Sequence, residues 1–143
     1  MKIMVAYDGT LQAKEALVYG MEKARKTGGE VVALHVFNSG MFIDYDASVD
    51  AEAMARNDSA RSIEEAKSLI REKGAGVRTS LFSAEGNPEE EVVSFAREKK
   101  VDVLLCSPKF RKIIGKYRKA LGASEMTGEA ANANLAMFST KTI

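Results

Sequence analysis

Val31-Val32-Ala33-Leu34-His35-Val36-Phe37 is an apolar run broken by a single imidazole. It is too continuous for a strand that shows one face to water, and reads as a strand buried on both faces, the habit of parallel sheets. Upstream, Ile3 to Tyr7 is a second such run. Between the two, Ala13, Leu17, Gly20 or Met21, and Ala24 recur at helical spacing, with Lys14, Glu15, Glu22, Lys23 and Arg25 turned outward. Thr10 can cap that helix and Gly28-Gly29 stop it. Downstream, a long helix is predicted over 51–73 with Ala55, Ser59, Ser62 or Ile63, Ala66, and Leu69 or Ile70 inward, stopped by Gly74. A third strand follows at about 77–83. Asn87-Pro88-Glu89-Glu90-Glu91 then combines a cap, a proline for the first helical position and three acids for the positive end of the dipole. A fourth strand is read at 101–106, a helix around 120–131 and a short last strand at 135–139. Strands alternating with helices, with right-handed crossovers, give a three-layer α/β architecture: an open parallel sheet covered on both faces. No linker or repeat divides it, so residues 1–143 are expected to form a single domain.

Composition narrows the function. The chain has 143 residues, 45% apolar and 29% charged, and its 21 basic and 20 acidic residues leave a net charge of +1. That is too neutral for a general polyanion binder, so nucleic acid is not an expected partner. No apolar run reaches the 18 or so residues that span a bilayer, and the first residues lack the apolar core of a signal peptide, so no membrane role is expected and the cytoplasm is the expected location. One cysteine, Cys106, excludes an internal disulfide, and one histidine excludes a multi-His/Cys zinc site within the chain. A Ser-His-Asp triad could draw only on His35, which sits inside a buried run and reads as a structural histidine. Cys106 ends an apolar run and reads as packing; a reactive thiol would need the basic residues that follow it. With no convincing nucleophile, base or metal cluster, the chain is expected not to be an enzyme.

Four stretches, in order and at matching spacing over residues 1 to about 106, resemble the universal stress protein family. They are Val5-Ala6-Tyr7-Asp8-Gly9-Thr10, Leu34-His35-Val36, Gly86-Asn87-Pro88 with Val92, Val93 and Ala96, and Val101-Asp102-Val103-Leu104-Leu105. The resemblance implies a five-stranded parallel sheet in the order 3-2-1-4-5, like that of adenine nucleotide hydrolases. It also implies a homodimer, formed through the last strand, and an adenine nucleotide at the carboxyl ends of strands one and four. A strand at 135–139 on a sheet edge would present unpaired peptide groups for a second copy to satisfy.

The resemblance makes Ala6, Tyr7, Asp8, Thr10, Val36, Ser107, Lys109, Gly122 and Ser124 the candidate nucleotide-binding residues, with ATP and Mg²⁺ as the implied ligands. Nucleotide-binding relatives follow strand four with Gly-x-x-Gly, nine residues, and Gly-Ser/Thr. Here Ser107 and Phe110 stand at the first two glycines, Pro108 lacks an N–H, and the closing Leu121-Gly122-Ala123-Ser124 comes eleven residues after Phe110. The motif is degenerate. Asp8 and Val36 keep the other half, although Asp8 could equally serve with Thr10 as a helix cap. Between the halves lie Lys109, Arg111, Lys112, Lys116, Arg118 and Lys119, which read as a solvated loop or as substitute phosphate contacts. Met41, Phe42, Ile43 and Tyr45 form an apolar cluster in a long connection, a lid or a contact surface. The expected function is a non-catalytic, homodimeric stress-response protein. The alternative is an adenine nucleotide binder, or slow ATPase, that uses Asp8 and the basic stretch 109–119.

Overall fold

The computed structural model of the chain describes residues 1–42, 49–110, 124–125 and 136–139. The two founding runs form β1 (Lys2–Ala6) and β2 (Glu30–Phe37), paired in parallel with Ile3 opposite Val31 and Ala6 opposite Leu34. Joining them is α1 (Leu11–Thr27), opened by Thr10, whose hydroxyl accepts the Ala13 N–H at 3.2 Å. Gly28, left-handed at φ 70°, closes it. After α2 (Val49–Lys73), β3 (Arg78–Glu85) joins β2 in parallel; α3 (Pro88–Glu98) then leads to β4 (Val103–Cys106), parallel to β1 on its other side. Asn87 caps α3 by accepting the Glu90 N–H at 3.2 Å, with Pro88 in the first turn.

Successive strand residues face opposite sides of a sheet, and the core is accordingly split in two. Ile3, Val5 and Tyr7 meet Ala13, Leu17 and Met21 of α1 and Ala66 of α2. Met4 and Ala6 meet Val92, Val93 and Ala96 of α3 on the other face. Complete burial of Ile3, Met4, Leu17 and Leu105 stabilises the fold by about 1.5–3 kcal/mol for each such side chain. Gly20 lets α1 lie close to the sheet, because a Cβ there would meet Leu105 Cδ1 at 3.2 Å. On α2 the inward positions are those read from the sequence: Ala66 is buried, and Ala55, Ser59, Ser62, Ile63, Leu69 and Ile70 are half-buried. No described helix is long and apolar enough to cross a membrane.

The C-terminal end differs from the implied order 3-2-1-4-5 with every strand parallel. The strand at Ala136–Ser139 lies antiparallel against β4, and Ser124–Glu125 forms a two-residue strand on its outer side. Numbering these two by chain order as β6 and β5, the sheet runs β3-β2-β1-β4-β6-β5. β6 runs opposite to both of its neighbours, with Cys106 opposite Ala136 on one side and Glu125 opposite Phe138 on the other. An apolar strand reads the same in either direction, so its sequence holds no signal of orientation. The last strand is therefore not a free edge at Phe138 and Ser139, which pair on both sides. Residues 124–125, inside the helix predicted over 120–131, are extended; the rest of that segment lies outside the described residues.

Candidate functional site

Strand order reverses at β1, where the connection leaving β1 turns toward β2 and the one entering β4 arrives from α3; the carboxyl ends of these strands bound the crevice where open α/β sheets take ligands. Ala6 and Tyr7 lie at its floor, 1% and 2% exposed, with the Tyr7 N–H donating to the Leu34 carbonyl at 2.8 Å. Asp8 follows. Its Oδ1 accepts the Thr10 N–H at 3.1 Å and the Thr10 hydroxyl at 2.5 Å, and its Oδ2 accepts from the Ser107 hydroxyl at 3.4 Å. The carboxylate thus supports the α1 cap and also joins the ends of β1 and β4. Since the Leu34 carbonyl faces β1, alternation turns the peptide groups of Val36 to the same side, beyond the last residue of β1. Asp8, Thr10, Ser107 and the main chain of Val36 therefore come together at one end of the sheet.

The phosphate end is built differently. β4 runs directly into a tight 3₁₀ turn, Pro108–Phe110, in which the Phe110 N–H donates to the Ser107 carbonyl at 3.0 Å. Phe110 is 7% exposed and belongs to the core cluster on the α3 face that also holds Met4, Leu34 and Val92. Two amides that a phosphate cradle would draw on are thus gone: Pro108 has none, and that of Phe110 is already bonded. Among the described residues, the turn after β4 therefore does not offer the free amides of a Gly-x-x-Gly turn. The main chain of Lys109 lies in this turn and that of Ser124 in β5. Gly122, the basic residues from Arg111 to Lys119, and Ile43 and Tyr45 lie outside the described residues.

His35 is buried and fully engaged. Its Nδ1 is 3.1 Å from the Tyr7 carbonyl, which can only accept, so Nδ1 carries the proton. Nε2 then accepts the hydroxyl hydrogen of Ser59 on α2 at 2.6 Å. The imidazole has a carbonyl where a Ser-His-Asp triad needs a carboxylate, and it pins α2 to the sheet. Burial pushes its pKa below the usual histidine value, outweighing the Tyr7 carbonyl and the Asp8 charge, which act the other way. The Tyr7 phenol is pushed up to about 12 by burial, then by the charges of Glu65 and Asp8. Next to His35 and Ser59, a cleft of about 320 Å³ opens between α2 and the ends of β2 and β3. Its rim carries Arg56, which stacks on Phe37 at 4.5 Å and pairs with Glu52 and Glu85. The contacts of Ser59 and Arg56 were not legible in the sequence, where they are only positions on a helix; their partners are brought up by the crossover.

Comparison with known proteins gives one consistent result. The model of the universal stress protein family matches residues 1–116. The universal stress protein MJ0531 of Methanocaldococcus jannaschii is 26% identical over 107 residues, 73% of this chain and 62% of that protein, so the match spans less than two thirds of this relative. A universal stress protein family structure from Burkholderia pseudomallei is similar in fold, with a TM-score of 0.64 at 21% identity, over 83% of this chain and 88% of that one. So is the universal stress protein of Archaeoglobus fulgidus in complex with dAMP, with a TM-score of 0.54 at 19% identity, over 80% and 85% of the two chains.

Proposed function

Because the chain belongs to the universal stress protein family, we propose that it is a non-catalytic cytoplasmic stress-response protein, acting as a homodimer through binding rather than turnover. Its nucleotide site retains the adenosine end and has lost the triphosphate cradle. The observation that carries this reading is the 107–110 turn, whose missing amide at Pro108 and spent amide at Phe110 leave an anion without its main-chain donors. Asp8 and the Val36 main chain would meet the ribose hydroxyls and the adenine edge. The second reading is an ATP–Mg²⁺ binder in which Asp8 helps hold the metal through water and the basic stretch replaces the lost amides. A universal stress protein of Archaeoglobus fulgidus is in complex with dAMP, which supports an adenine nucleotide as the class of ligand.

Thermal unfolding separates the two, since a ligand selective for the folded state at a hundred times its Kd adds about 2.7 kcal/mol. The first reading expects no shift with millimolar ATP–Mg²⁺ and a small one with adenosine or AMP. A large ATP–Mg²⁺ shift, lost in Asp8→Asn, establishes the second. Asparagine keeps the acceptor for Thr10, so Asp8→Asn alone should leave stability within about 0.5 kcal/mol. A chain ending before Leu135 tests the dimer contact at the C-terminal strand by sedimentation.

A further inference from the structure

The opposite edge of the sheet offers a second copy a better strand. β3 ends the strand order, and among the described residues no strand pairs with its outer side. In a parallel ladder, alternate residues turn their peptide groups to opposite neighbours. The Gly86 N–H donates to the Phe37 carbonyl at 3.0 Å, so even-numbered positions face β2. Thr79, Leu81, Ser83 and Glu85 therefore point N–H and C=O away from the sheet. Exposed edges are ordinarily blunted by lysine, proline, a bulge or short length. β3 is eight residues long, Arg-Thr-Ser-Leu-Phe-Ser-Ala-Glu, and carries charge only at its two ends.

We propose that β3 pairs antiparallel with β3 of a second copy, with Phe82 opposite the partner's Phe82. In a two-fold antiparallel pair, outward-facing residues must meet outward-facing residues. The register centred on Phe82 satisfies all four at once: Leu81 meets the partner's Ser83 and Thr79 meets the partner's Glu85, each in both directions. A register centred on Leu81 would leave Glu85 beyond the paired stretch. At two bonds per hydrogen-bonded pair this gives roughly eight main-chain hydrogen bonds. Phe82, 36% exposed, would face its counterpart across the axis in a non-hydrogen-bonded pair, the closer kind, where aromatic pairs are favourable. The strand is complementary to itself in hydrogen bonding and in its aromatic centre at Phe82, which selects a second copy over an unrelated strand.

Ser83→Pro tests this directly. It removes an outward N–H and spares the β2 ladder, and an edge strand accepts proline at such a position. Sedimentation of the full-length protein from micromolar to submillimolar concentration should show association beyond the 15.5 kDa chain. Ser83→Pro should lose that step and Ser83→Ala should keep it. Under oxidised glutathione, Phe82→Cys should form a disulfide between copies and Ser80→Cys should not, the native Cys106 being fully buried. A wild-type chain that stays monomeric, a folded Ser83→Pro chain that associates like wild type, or a Phe82→Cys chain that does not cross-link overturns the proposal. If Ser83→Pro fails to fold by circular dichroism, the cross-link alone decides. Neither readout involves nucleotide, and the Phe82→Cys cross-link reports on the β3 edge alone in the full-length chain.

Discussion

Asp8 and His35 carry the residue-scale argument, because each closes a polar circuit that several elements share. Asp8 was legible in part: an aspartate ahead of Gly9-Thr10 reads both as a cap and as a ligand, and the structure gives it the cap together with the Ser107 contact. His35 was legible as structural, but its partner Ser59 was not, since nothing in a helical pattern says which strand side chain will lie under it. The buried imidazole has a pH consequence. Its folded-state pKa is depressed by burial, so below the ordinary value of about 6.5 the unfolded chain binds the proton more readily than the folded one. That contribution to stability is complete above this pH and is lost as the pH falls below it. Urea unfolding between pH 7.5 and 5 should show the midpoint falling, and His35→Gln should remove that slope. An unchanged slope in the variant would mean that other groups titrate.

At the scale of elements, helix starts were more legible than helix ends. Thr10, Asn87 and Pro88 announce the first turns of α1 and α3, and Gly28 announces the end of α1. The end of α3 carries no such mark. The Val101 N–H bonds the Ala96 carbonyl and the Lys100 N–H that of Arg97, both at 3.2 Å, the pattern of a Schellman close. Lys100 therefore occupies the left-handed position, φ 53°, where glycine is at ease. Lys100→Gly should raise stability by about 1 kcal/mol, read as a higher Tm or urea midpoint. A drop would mean that the lysine side chain contributes more than its backbone costs. β3, expected from the sequence at about 77–83, lies at Arg78–Glu85, because Gly74 and Gly76 ahead of it leave the strand start open, whereas the β2 ladder fixes it.

For the molecule as a whole, two cores on either side of one sheet put Cys106 at the centre of the packing, at the end of β4 and 0% exposed. A thiol there should react with a disulfide reagent no faster than the protein opens. Labelling should be negligible in buffer and complete in urea; rapid labelling of the folded protein would revive the reading of Cys106 as a reactive thiol.

The apolar continuity of 31–37, the helical spacing after it and the capping residues determined by themselves an α/β chain with a covered parallel sheet, because burial on both faces leaves its mark on every residue of a strand. They also marked the turn after β4 as short of one amide, since proline lacks an N–H wherever it sits. Only the tertiary structure decided the direction of the last strand, the partner of His35, the burial of Phe110 and which strands end the sheet among the described residues. Each of these depends on what a distant segment brings alongside, and pairing across space has no local signature along the chain.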